Sequence, residues 1–218
     1  MVGDCHEKTP ITLLFSCLAL FCLPISVNAD TNNNLVIKFN ELTFTVEDYN
    51  IPNPEVVYSK SGFNEVATVI DIDTGKVVET IELIPDLSRA TVTSHTLKRS
   101  ATFARTTVQL SVNIELYNEG SFRQINSVQD YYLGITNSIT NTSIEDKTVN
   151  VWSTNGYPTT KIKYAYNGTL TAVIETSGSA QVKAELLGAG FTFGGSMAGK
   201  SYYRVPFDQN GTISLYNY

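Results

Sequence analysis

The 218-residue chain carries 21 acidic against 15 basic side chains, a net charge of −6 at pH 7. A surface of that sign repels phosphate, so no nucleic-acid partner is expected. Its three cysteines, Cys5, Cys17 and Cys22, all precede residue 30. Residues 30–218 therefore hold no thiol for a disulfide, a thiolate nucleophile or a cysteine-held metal.

Ile11 to Val27 is a mostly apolar run behind Lys8, and Val27-Asn28-Ala29 offers small residues to a signal peptidase. That is the layout of a secretory signal peptide. Pro24 interrupts the run, which is short of the ~20 residues a membrane span needs. The expected organisation is a signal peptide over 1–29 and a single secreted domain over 30–218.

Leu35, Ile37 and Phe39 fall on odd positions, while Leu42, Phe44 and Val46 fall on even ones. Side chains of a strand alternate between faces, so the flip marks a bulge or two short strands. Tyr49 to Pro54, with two prolines and two asparagines, reads as a loop. Val66 to Ile72 and Lys76 to Ile84 flank Asp73-Thr74-Gly75 and read as a hairpin. Leu87 to Ser100 is rich in Thr and Ser and suits an edge strand. Thr102 to Tyr117 is the strongest signal: Val108, Leu110, Val112, Ile114 and Leu116 alternate with polar residues, predicting one long strand with an oily face and a wet one.

Phe122, Ile125, Val128 and Tyr132 are spaced by three and four, which predicts a short helix over Ser121 to Tyr132. Gly134 to Ser143 reads as a loop, Val149 to Trp152 as a short strand, and Asn155-Gly156 with Pro158 as a turn. Asn167-Gly168, between Thr160–Tyr166 and Thr169–Thr176, carries the Asn-Gly signature of a hairpin. Asn210-Gly211, between Tyr202–Phe207 and Thr212–Tyr216, repeats it. In Ser179 to Ala189 both a helical and a twofold spacing fit, and the alternation of Ala180, Val182, Ala184 and Leu186 favours strand. The fold class is all-β, an antiparallel β-sandwich with room for one or two short helices.

Several stretches imitate chemistry. Gly194 to Ser201 spells the phosphate-binding loop of nucleotide enzymes, but no strand–loop–helix context surrounds it, and a Gly-rich bend between strands is expected. Asp73-Thr74-Gly75 matches the aspartic-protease triplet without a second copy. Asp71, Asp73 and Glu82 sketch a calcium loop, but Lys76 stands where its turn glycine should be. His95 is the only histidine after residue 30, so no zinc set is expected. It is read as a surface residue rather than as the base of a hydroxyl–imidazole–carboxylate triad. No cofactor and no catalytic machinery are expected.

Ten of the twelve tyrosines lie at or after Tyr117, and Trp152 and Tyr157 flank the Asn155-Gly156 turn. Loop aromatics stack on sugars or anchor protein partners. Trp152 and Tyr157 are thus the candidate ligand-binding residues. The expected activity is non-catalytic binding at or outside the cell surface, with carbohydrate or a cell-surface protein as partner. One alternative is a membrane-active, pore-forming hairpin over 168–196. A second is a hydrolase working with paired carboxylates.

Overall fold

A two-residue turn reverses the parity of the inward face, because the residues flanking it pair and share one side of the sheet. The predicted strand from Thr102 to Tyr117 conceals such a reversal. Phe103 pairs with Thr106, and Ala104 and Arg105 between them take positive φ values of 48° and 59°. Both central residues of a type I′ turn have that sign. Odd residues face inward before the turn (His95, Leu97, Arg99, Ala101) and even ones after it (Val108, Leu110, Val112, Ile114, Leu116). The expected strand is therefore β7 (Thr106–Glu119), and its first two residues, Thr102 and Phe103, close the preceding strand β6 (Val92–Phe103).

The structure, a computed structural model, describes residues 33–88 and 91–215. The leader over 1–29 and its cysteines lie outside the described residues. In chain order the remaining strands are β1 (Leu35–Lys38), β2 (Thr43–Val46), β3 (Pro54–Ser61), β4 (Asn64–Asp71), β5 (Lys76–Ile84), β8 (Phe122–Asn137), β9 (Thr142–Trp152), β10 (Lys161–Glu175), β11 (Thr192–Met197) and β12 (Lys200–Ser214). One helix, α1 (Ala180–Ala189), stands between β10 and β11.

One sheet is the antiparallel meander β3-β4-β5-β6-β7-β8. The other runs β1-β2-β12-β10-β9, and β11 also pairs with β12. Strand β12 meets β10 along its whole length. On its other side it meets β11 at residues 200–204 and β2 at residues 211–214. The inner faces share one hydrophobic core, with Phe103 of one sheet stacked on Phe207 of the other at 5.3 Å between centroids. Both flanks are stitched. Lys38 N–H donates to the Tyr58 hydroxyl (3.1 Å), and Lys147 Nζ donates to the Leu133 carbonyl (3.2 Å). Ile125 and Thr159 exchange backbone hydrogen bonds of 2.7 and 2.9 Å. Such cross-links cover strand edges that would otherwise pair with other chains. The architecture is the expected β-sandwich-like fold.

Several expectations are corrected. Residues 121–132 form the start of β8, not a helix. The pairing of β8 with β7 shifts register three times, and each bulge flips the inward parity, which erases the twofold pattern. β8 also runs through Gly134, leaving a loop of only a few residues before β9. β9 begins at Thr142, well before the expected short strand. The stretch read as an edge strand is central: β6 lies between β5 and β7. β3 has no counterpart among the expected strands.

Neither Asn167-Gly168 nor Asn210-Gly211 is a turn; both lie inside long strands. A Cβ on Gly168 would sit 2.8 Å from Ile144 Cγ2 and 3.1 Å from Phe207 Cζ. A Cβ on Gly211 would meet the Thr45 carbonyl oxygen and the Tyr164 hydroxyl at closer than contact distance. These glycines admit close neighbours rather than reversing the chain.

Residues 179–189 are helical, not extended. Ser179 Oγ accepts from Val182 N–H (3.2 Å), and Gly190 closes the helix in the left-handed region at φ 108°. A hydroxyl N-cap and a C-terminal glycine are the usual start and stop signals of a helix. Leu186 and Phe191 are buried in the shared core. Arg105 of the β6–β7 turn lies 3.7 Å from Glu185. Helix α1 thus packs at that end of the sandwich.

Candidate functional site

The inner face of β6 reads Thr93, His95, Leu97, Arg99, Ala101, and all five are buried. Three of them are polar, so each needs a partner. Arg99 is fully buried. Its Nε donates to Glu79 Oε2 (3.1 Å) and its Nη2 to Glu79 Oε1 (2.6 Å), a bidentate pair between β6 and β5. Across the core, Nη2 also donates to Gln209 Oε1, and Nη1 lies 3.4 Å from the Tyr164 hydroxyl. The guanidinium sits 5.7–5.9 Å from the ring centroids of Phe44, Tyr164 and Tyr166. Cations are attracted to ring faces at that range. Burial works against the Arg99 charge, but Tyr164, Tyr166 and Glu79 more than offset it, and the group stays charged well above the ordinary guanidinium range. Burial also pushes the Tyr166 phenol up to about 12 and raises Tyr164 and Tyr49.

His95 is 2% exposed, which overturns its reading as a surface residue. Its Nε2 lies 2.9 Å from Thr93 Oγ1, and its Nδ1 lies 3.3 Å from Glu41 Oε2 in the β1–β2 turn. The order hydroxyl, imidazole, carboxylate is that of a nucleophilic triad. The hydroxyl, however, points into the sandwich on a residue 6% exposed. A nucleophile must reach a reacting carbonyl, and this one faces the core. The string ties the β1–β2 turn to the opposite sheet.

The imitations of chemistry resolve into turns. Asp71 accepts from Asp73 N–H (3.0 Å) and Thr74 Oγ1 (2.7 Å), shaping the expected β4–β5 hairpin. Gly194 to Ser201 is strand β11, a turn at Ala198 and Gly199, and the first residues of β12. Met197 pairs with Lys200 across it, and Ser201 Oγ faces Ser196 Oγ at 3.1 Å. The segment is the expected Gly-rich bend between strands.

No family model, no curated protein and no solved structure matches this chain.

Trp152 ends β9, paired with Lys163, and is 39% exposed. Tyr157 lies on the connection from β9 to β10 and is 42% exposed. This connection is held by its own polar groups. Ser153 Oγ donates to the Gly156 carbonyl (2.7 Å) and accepts from Asn155 N–H (3.3 Å). Thr159 Oγ1 donates to the Lys161 carbonyl (3.0 Å), and its backbone is bonded to Ile125 of β8. Gly156 takes φ 80°, where a side chain would be strained. The peptide before Pro158 is cis. Burial raises the Tyr157 phenol above its ordinary value. No stacking contact joins the Trp152 and Tyr157 rings among the described residues. The sequence reading placed Trp152 at the end of a strand and Tyr157 on the connection after it, and the structure has them there. It missed Arg99, Glu79 and the burial of His95. The available signal was the run of odd positions through Leu97 and Ala101, which puts the polar residues between them on the inner face.

Proposed function

We propose that this chain is an exported, non-catalytic β-sandwich protein that acts by binding at or outside the cell surface. Its contact is the end of β9 and the connection over 153–160 that follows it, where Trp152 and Tyr157 respectively present partly exposed rings beside a backbone held at Ser153 and Thr159. That observation carries the reading. Rigidly held aromatics bind with little ordering cost. Carbohydrate is the favoured partner class, and a surface protein the other. The buried ionisable groups Arg99, Glu79 and His95 are already occupied with one another or with core side chains, which favours a structural use for them over bond-making. The pore-forming alternative asked for a hairpin over 168–196. Here that segment is the second half of β10, helix α1 and β11, and β10 and β11 both pair with β12 rather than with each other.

Binding to a panel of polysaccharides and to extracts of cell surfaces tests the proposal. Trp152→Ala and Tyr157→Ala should each lower affinity at least tenfold while leaving the melting temperature within ~2 °C, as expected of exposed side chains. Variants that bind as well as the parent would refute the assignment of the site.

A further inference from the structure

We propose that His95 is an acid-sensitive latch between the two sheets, whose protonation frees the turn at residues 39–42 from β6. The geometry is specific. The imidazole projects inward from β6 and meets Glu41, which belongs to the turn joining β1 to β2 in the other sheet. Thr93 Oγ1 lies within hydrogen-bond reach of Nε2. With the hydroxyl donating, the neutral ring carries its proton on Nδ1, beside Glu41. Nδ1 and Glu41 Oε2 nevertheless lack an aligned hydrogen bond, so proximity rather than a strong bond holds the clasp.

A second proton must go on Nε2. It would then point at Thr93, whose hydroxyl would have to swing its own hydrogen into the core. The new charge would also lie in a buried place. The charged groups facing the ring are Glu41 from the β1–β2 turn, Asp86 from the β5–β6 connection and Arg123 from β8. Burial opposes protonation most, Glu41 and Asp86 favour it, and Arg123 opposes it; the balance leaves the imidazole below its ordinary value of 6.5. Asp86 stays ionised through this range, because the Ser88 and Ser94 N–H groups hold its carboxyl low.

The sign follows. A histidine whose folded pKa is depressed stabilises the closed form above the ordinary histidine value, and that stabilisation is lost as pH falls from there through the folded value. The opened form takes the proton first. The 39–42 turn is the part of the other sheet that faces the ring, between strands of four residues each with β1 outermost. Its release also gives up the bonds of Asn40 N–H and Nδ2 to Glu65 (3.1 and 2.8 Å) and moves the buried Phe39 and Leu42. The latch also neighbours the proposed binding connection: Arg123 stands two residues before Ile125, whose backbone pairs with Thr159.

Amide hydrogen exchange of the whole protein between pH 7.5 and 5.0, corrected for intrinsic rates, tests the latch. Protection over 39–42 should fall on acidification, by about tenfold for each pH unit separating the open and closed imidazole pKa values, while the β7 core stays protected. His95→Gln should abolish the pH dependence. Glu41→Gln, at a partly exposed position, should move the imidazole NMR titration to still lower pH. Three results would overturn the proposal: protection that ignores pH, the same acid loss in His95→Gln, or a His95 titration at or above the ordinary histidine value.

Discussion

Replacing Glu79 by leucine tests the ion pair at the centre of the sandwich. The change leaves Arg99 fully buried and charged, facing three aromatic rings and one amide oxygen with no carboxylate. Removing one partner of a buried pair costs about 3–5 kcal/mol, because the remaining charge is uncompensated. Domains hold about 5–15 kcal/mol in total, so the variant should fold but sit close to its limit. For a chain of this size each kcal/mol moves the melting temperature by about 2–4 °C, which gives a loss of about 6–20 °C. Adding Arg99→Met removes the orphaned charge. What remains is Gln209 without its donor, a half-buried acceptor whose lost bond costs at most about 1–3 kcal/mol. The double variant should therefore be more stable than Glu79→Leu alone. Urea denaturation followed by circular dichroism measures both. A loss below ~1 kcal/mol for the single variant would show that the charge is not confined as described. A double variant no better than the single would show that the rings and Gln209, not the carboxylate, hold the guanidinium.

Other outcomes follow from the same geometry. Gly211→Ala should be among the most damaging single changes, because its Cβ would collide with the backbone oxygen of Thr45 and with Tyr164; a denaturation midpoint close to that of the parent would contradict this. Gly156→Ala, in open space but at φ 80°, should cost only the strain of the left-handed region, about 1–2 kcal/mol. Alkaline stability should fall above pH 10. Tyr166 ionises at about 12 when folded and near 10 when exposed, so unfolding releases its proton first as pH rises. Ultraviolet difference absorbance should show its ionisation coinciding with unfolding, and a free titration near pH 10 in the folded protein would oppose the burial. Ser179→Ala removes the cap of α1 and should cost about 1 kcal/mol, visible as faster exchange of the Val182 and Lys183 amides with β7 unaffected.

Twofold alternation was legible wherever a strand puts apolar residues on one face and keeps its register. Val108 to Leu116 is the plain case, and the all-β class followed from such runs. The parity of those runs also held information about turns. Ile162, Tyr164, Tyr166, Leu170 and Ala172 share even parity across Asn167-Gly168. A two-residue hairpin there would have moved the inward set to odd positions. Tyr203, Phe207 and Ile213 likewise keep odd parity across Asn210-Gly211. The true reversal at Ala104-Arg105 does flip the parity, although neither residue is a usual turn former. Parity thus ranks above dipeptide signatures in this chain.

The remainder depended on tertiary contacts. β6 looked like an edge because the stretch is rich in Thr and Ser, and its inner face sets a threonine, a histidine and an arginine beside Leu97 and Ala101. The neighbouring strand supplies Glu79, and the other sheet and its turn supply Glu41, Tyr164 and Gln209, as partners. β8 lost its pattern to bulges that exist only against β7. Residues 179–189 fit either secondary structure locally, and the helix prevails where its caps close and Leu186 reaches the shared core. The sequence by itself determined which residues could share a face. Which sheet face would make a buried charge tolerable was decided by residues as many as 110 positions apart in the chain, because a desolvated ion is stable only where distant side chains surround it.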